Sequence, residues 1–250
     1  MSIMKSVCFL ATSLLMSMSA QASQTDAAPD PVGRWLHQRA MQAAMQEAST
    51  TRGSFVGAGS YQIVRLADLD APEAVKHQLR ADMDRSAGVV QVAEGDIPTR
   101  AELLAALHRR YRSASELRQR LPQPPSSLEA SLLGPAELIG MEPSGALDGG
   151  RSSGLSRFFQ LEGIGVVEFS ENNFLAAGTH IEVIAEAQNT TVKGALAHLK
   201  KSIDSAGRTR VELVWTGDSK TFSLIATGER GTDVERSARL LHDIAAAIVD

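Results

Sequence analysis

The clearest alternation of apolar and polar positions runs through Arg208–Val249. Val211, Leu213 and Trp215 fall on one side of an extended chain, and Phe222, Leu224 and Ala226 repeat the pattern a few positions on. Successive side chains on a strand point to opposite faces, so each run is a strand with one apolar face. Between them, Gly217-Asp218-Ser219-Lys220 has turn chemistry: glycine reaches positive φ, and Asp and Ser satisfy nearby backbone groups. The period then changes. Val234, Ala238, Leu241, Ile244, Ala245 and Ile248 recur at helical spacing. They follow Thr232-Asp233-Val234-Glu235, which reads as a capping box. Two strands alone are marginal in water, so the helix is predicted to cover the apolar face of the hairpin.

Upstream the same reasoning gives shorter elements. Asp30-Pro31 opens a helix to about Ala48, with Trp35, Met41 and Met45 on its apolar face. Ser54–Leu66 reads as a strand or hairpin. Asp70-Ala71-Pro72-Glu73 reads as a second capping box, before a helix carrying Val75, Leu79 and Met83, and Val89–Ala93 as a short strand. Thr99-Arg100-Ala101-Glu102 starts the longest helix, with Leu103, Leu107, Tyr111, Ala114, Leu117 and Leu121 at helical spacing. Pro122, Pro124 and Pro125 stop it, because proline lacks the amide hydrogen and crowds the preceding turn. Ser126–Leu133 could open a short helix, and Met141–Gly154 has the Pro, Gly and Ser content of a loop. Phe158–Phe174 has strand character, Glu171-Asn172-Asn173 reads as a turn, and Thr179–Ala187 as another strand. Thr191–Ile203 fits either a helix or a strand, since Gly194 weakens a helix.

The first residues change the picture. Lys5, the apolar run Val7–Met18 and Ala20-Gln21-Ala22 have the layout of a secretory signal, with cleavage expected after Ala22 and a periplasmic destination. The run is short for a membrane span of about 20 residues, so no transmembrane span is expected in the mature chain. Cys8 is the only cysteine and lies inside this leader. The mature chain is therefore expected to lack disulfides, thiol nucleophiles and sulfur ligands. Of the 25 basic residues one, Lys5, falls in the leader, leaving 24 against 29 acidic residues, a balance of −5. That field does not favour nucleic acid. Hydrophobic content of 43% with 22% charge fits a globular chain, and 4% aromatics means cores of Leu, Val, Ile and Ala.

Candidate chemistry is sparse. The six histidines show no i,i+4 pair and no His-Glu-x-x-His motif. His180 and His198 could meet as strand neighbours. His180-Ile181-Glu182 lacks the cysteine pair that a zinc deaminase needs. Gly57-Ala58-Gly59 and Gly163-Ile164-Gly165 do not extend to a nucleotide-binding loop and read as bulges or tight bends. Glu168, Glu171, Glu182 and Glu186 could act as paired acids, as in a glycosidase; their alternation with apolar residues more simply marks the wet face of an antiparallel sheet. No catalytic residue, metal ligand or cofactor is assigned. Arg109, Arg110 and Arg112, with Arg118 and Arg120, make the long helix basic. They read as a solvated face or as a docking surface for an anionic partner. Trp215 reads as a core aromatic, with a ligand platform as the alternative. Arg109, Arg110, Arg112 and Trp215 are therefore the candidate binding residues.

The expectation is an α+β fold, with helices packed on mainly antiparallel sheet and a closing β-hairpin plus C-terminal amphipathic helix. Residues 1–22 form the signal peptide, 23–122 an N-terminal α/β region, 123–157 a Pro/Gly/Ser-rich linker or insertion, and 158–250 a C-terminal antiparallel sheet plus helix. The expected function is a non-enzymatic periplasmic binding protein, in concrete form an inhibitor or immunity protein against an envelope-acting toxin or hydrolase. The alternatives are an envelope factor binding lipid or glycan, and a hydrolase without a recognisable motif. A protein partner in the envelope is expected, with no nucleic acid.

Overall fold

The computed structural model describes residues 9–10, 30–50, 59–110, 115, 119–121, 123–145 and 150–250. In chain order the elements are β1 (Phe9–Leu10), α1 (Pro31–Thr50), β2 (Ser60–Val64), α2 (Glu73–Arg85), β3 (Val89–Val92), α3 (Arg100–Arg110), β4 (Glu137–Ser144), β5 (Gly154–Leu161), β6 (Gly165–Asn173), β7 (His180–Ile184), β8 (Thr190–Val192), β9 (Ala195–Asp204), β10 (Thr209–Thr216), β11 (Lys220–Gly228) and α4 (Val234–Ala247). The class is α+β, with a large, mostly antiparallel sheet and a closing helix. The chain divides into two compact units, residues 1–87 with 178–187, and residues 88–177 with 188–250.

The smaller unit has a parallel sheet of order β1-β7-β2, beside α1 and α2. Asp30 caps α1, its carboxylate accepting from the amides of Val32 and Gly33 at 3.0 Å. Val32, Trp35, Leu66, Leu69, Val75, Leu79 and Ile184 form its core. The apolar face expected along α1 stops short. Met41 and Met45 are 47% and 64% exposed, and Val32, three residues before Trp35, takes the buried position instead. The expected capping box at Asp70 does not form: α2 starts after Pro72, with no side-chain cap.

The larger unit is an eight-stranded sheet in which seven strands run in the order β3-β9-β10-β11-β6-β5-β4 and the eighth, β8, pairs with β9. The hairpin read from the sequence is β10–β11, with Val211 opposite Ala226, Leu213 opposite Leu224 and Trp215 opposite Phe222. All six side chains are buried, and α4 lies over them with Leu241 and Ile244 fully enclosed. Burying a side chain of this size contributes about 1.5–3 kcal/mol, so this layer is a substantial source of stability. The cap of α4 is Asp233, whose carboxylate accepts from the amides of Glu235 and Arg236; Thr232 lies one residue too early.

Several ambiguous stretches resolve into sheet. Residues 191–203 are not a helix. Lys193 and Gly194, at φ of 49° and 84°, make the tight turn between β8 and β9. The far edge of β9 is shared by β8, at Ala195–Ala197, and by β3, which runs parallel to it at Lys201–Asp204. Glu171, Asn172 and Asn173 are the end of β6 rather than a turn. Ser126–Leu133 is not a helix: Ser127 bridges Val249, tight turns follow from Glu129, and Leu128 and Leu133 plug into the core. Residues 123–157, expected as a linker or insertion, hold β4 and the start of β5. The capping box at Thr99 forms as read: Thr99 Oγ1 accepts from the Glu102 amide at 3.2 Å, and the Glu102 carboxylate accepts from the Thr99 amide at 2.8 Å. Among the described residues, no helix is long and apolar enough to cross a membrane.

Candidate functional site

Strand parity places three charged side chains where apolar ones are due. On β5, Leu155, Arg157 and Phe159 share the face turned toward the core; on β6, Val167, Phe169 and Glu171 do; on β11, Lys220, Phe222 and Leu224 do. Leu155 lies opposite Glu171, which lies opposite Phe222. Arg157, Glu171 and Lys220 therefore gather at one end of the apolar layer. The chain after Leu121 crosses this end and brings Ser126 into it.

The geometry is tight. Glu171 is 4% exposed and accepts from the Ser126 amide at 3.0 Å, Ser126 Oγ at 2.6 Å, Arg157 Nη2 at 2.9 Å and Lys220 Nζ at 3.2 Å. Arg157 also donates to the Ser126 carbonyl at 2.9 Å and stacks over the Phe169 ring at 5.1 Å. Lys220 Nζ further contacts Ser126 Oγ at 3.1 Å and pairs with the Asp250 carboxylate. A cavity of about 20 Å³, room for one water, lies beside Lys220, Glu171, Asn173, Ser153 and Pro124.

A serine hydroxyl 3.1 Å from a lysine amine is the spacing of a Ser–Lys catalytic dyad. The electrostatics work against that use. Burial alone would push the Lys220 ammonium down, but its hydrogen bonds and charge contacts with Asp250 and Glu171 outweigh burial and hold it above its ordinary value. A lysine kept protonated cannot act as a general base. Ser126 is 3% exposed and its proton points to Glu171, so the hydroxyl is both shielded and committed. Burial likewise pushes Arg157 down, partly offset by Glu171. The arrangement works as a clamp that ties the Ser126 segment to β5, β6 and β11.

The residues singled out from the sequence fall elsewhere. Trp215 is 7% exposed and stacks on Phe222 at 5.1 Å within the core, so its indole faces packing partners rather than an open surface. Arg109 and Arg110 lie at the end of α3, but their side chains are outside the described residues, as is the whole of Arg112. Glu168 and Glu171 sit three apart on β6, hence on opposite faces, and cannot work as a pair. Glu171 is buried among ion pairs rather than wet. Glu182 and Glu186 belong to the smaller unit. Glu182 accepts from Arg39 at 2.7 Å and Gln62 at 2.6 Å, and Glu186 accepts from the Leu66 amide at 2.9 Å. His180 and His198 are not strand neighbours: β7 and β9 belong to different sheets, and His180 Nδ1 meets Ser60 Oγ at 2.7 Å. Among the described residues, no group of three or more His, Cys, Asp or Glu is placed to hold a metal ion.

On the outer face of the large sheet, Glu168 accepts from Ser170 Oγ at 2.9 Å, and Ser170 meets Ser156 Oγ at 2.6 Å. Burial pushes the Glu168 carboxyl up; Ser170 and Arg210 work against that, and the charges of Glu142 and Glu212 add to it. No protein-family model matches the chain, and no curated protein or solved structure matches it significantly.

Proposed function

We propose that this chain is an exported, non-enzymatic binding protein of the cell envelope, with its leader removed after Ala22 and another protein as its partner. In concrete form it is an inhibitor or immunity protein that occludes an envelope-acting toxin or hydrolase. The observation that carries the reading is the state of Ser126 and Lys220. The Ser126–Lys220 arrangement is charge-locked and shielded, which supports a scaffold over a catalytic centre. The adjoining cavity, at about 20 Å³, fits a water and not an acyl chain or a sugar. The edge strand β4 pairs on one side only among the described residues and carries Leu138, 44% exposed. An edge strand with an exposed leucine suits main-chain pairing with a partner protein.

The test is a pull-down with the mature protein, Ser23–Asp250, against envelope extract, identifying bound protein and lipid by mass spectrometry. The reading expects one protein at stoichiometric yield, with binding weakened by Leu138→Lys or by substitution of Arg109, Arg110 and Arg112. Lipid or glycan recovered without protein would replace this reading with a carrier. Hydrolytic turnover by the purified chain would replace it with an enzyme.

A further inference from the structure

The buried cluster does not balance its charge without the segment that follows α4. Arg157 and Lys220 both pair with a single carboxylate, Glu171, and the three side chains are 13, 9 and 4% exposed. Two cations against one anion leave a positive charge where an uncompensated charge is costly. Asp250 supplies the second anion. Its carboxylate pairs with Lys220 and lies 3.1 Å from Ser126 Oγ. The residue before it is held by an isolated antiparallel bridge to Ser127. The Ser127 amide donates to the Val249 carbonyl at 2.8 Å, and the Val249 amide donates to the Ser127 carbonyl at 3.1 Å. Ile248 is 3% exposed within the core, while Val249 is 59% exposed.

Ile248–Asp250 is thus bound as an extended peptide: an apolar anchor, two main-chain hydrogen bonds and a carboxylate on a cation. The groups that receive the carboxylate are held independently of it. Glu171 fixes Ser126 through both its amide and its hydroxyl, and fixes Lys220 from the other side. We propose that Ser126, Ser127 and Lys220 form a receptor for an extended apolar-x-acidic peptide. It is occupied in cis by Ile248–Asp250, which acts as a strap that can lift and be replaced by a peptide of the same chemistry. This inference stands apart from the proposed function and uses only the larger unit.

The test is residue-resolved amide hydrogen exchange on the full chain. Asp250→Asn keeps the shape of the side chain and removes its charge. Exchange at Ser127 and Val249 should rise about ten-fold, the equivalent of one charge-assisted hydrogen bond, with the amides of β10 and β11 unchanged. Val249→Pro combined with Asp250→Asn also removes a main-chain donor, at an exposed position, and lifts the strap further. In that variant, acetyl-Ile-Val-Asp-amide at millimolar concentration should restore protection of Ser127, and acetyl-Ile-Val-Asn-amide should not. Unchanged exchange at Ser127 in Asp250→Asn would overturn the strap, as would an equal loss of protection across β10 and β11. Failure of the acidic peptide to outperform its asparagine counterpart would overturn the receptor.

Discussion

Glu171→Gln is the sharpest perturbation of the clamp. The carboxylate accepts from four donors on three segments and is the shared partner of Arg157 and Lys220. Glutamine keeps the volume but removes the charge, and its amide turns two protons toward groups that are themselves donors. Removing one partner of a buried ion pair costs about 3–5 kcal/mol, because the remaining charge is left without compensation. Asp250 still neutralises Lys220, so Arg157 bears the loss, and it cannot shed its proton. For a unit of about 150 residues, each kcal/mol shifts the melting temperature by about 2–4 °C. The expected fall is on the order of 10 °C. Calorimetry of the full chain, with circular dichroism to confirm an intact sheet, reads this directly. The triple variant Arg157→Leu, Glu171→Leu, Lys220→Met removes all three charges together and should lose less than Glu171→Gln alone, because no buried ion is left unpaired. A Glu171→Gln melting point within about 3 °C of the parent, or a triple variant worse than the single one, would refute the reasoning.

Three further outcomes follow from other parts of the molecule. Burial raises the folded-state pKa of Glu168 above its unfolded value, so its ionisation opposes folding as pH rises from the ordinary carboxyl range through that raised value. Glu168→Gln should therefore raise the melting temperature at pH 7, and the gain should vanish below about pH 4. The amides of Arg236 and Glu235 hold the Asp233 carboxyl below its usual value. Its contribution is present above the unfolded value of about 3.9 and lost as pH falls through the lower folded one; Asp233→Ala should melt earlier than the parent at neutral pH, with the difference closing in acid and Asp233→Ser intermediate. At the β5–β6 turn, Gly165 has φ of 117°, and an added Cβ would lie 2.2 Å from the Thr227 carbonyl oxygen. Gly165→Ala should destabilise by about 2–3 kcal/mol in urea unfolding, whereas Gly163→Ala, whose added Cβ meets only the Arg236 guanidinium at 3.8 Å, should cost less.

The hairpin and closing helix were legible because their pattern is local: Val211, Leu213 and Trp215 alternate cleanly, and Leu241 and Ile244 keep the helical period. Thr191–Ile203 was not, because Val192, Leu196, Leu199 and Ile203 satisfy a helix while the decisive feature is a turn at Lys193-Gly194, a matter of backbone dihedrals. The parallel sheet of the smaller unit was hidden by sequence distance, since β2 pairs with a strand reached only after most of the larger unit has been laid down. The clamp left a faint trace. Arg157, Glu171 and Lys220 each occupy an apolar-parity position in an otherwise regular strand. The turn-like composition of Glu171-Asn172-Asn173 masks that clue, and nothing local ties Ser126 or Asp250 to the same place.

The central claim, that Lys220 serves the fold as a fixed cation rather than chemistry as a base, is open to direct observation. Proton–nitrogen correlation spectra of the lysine side chains, assigned through Lys220→Arg and recorded across a pH series, report its protonation. The account predicts a slowly exchanging three-proton ammonium that persists above about pH 10.4, the ordinary lysine value. A Lys220 amine that loses its proton near neutral pH would contradict it and return Ser126 to consideration as a nucleophile.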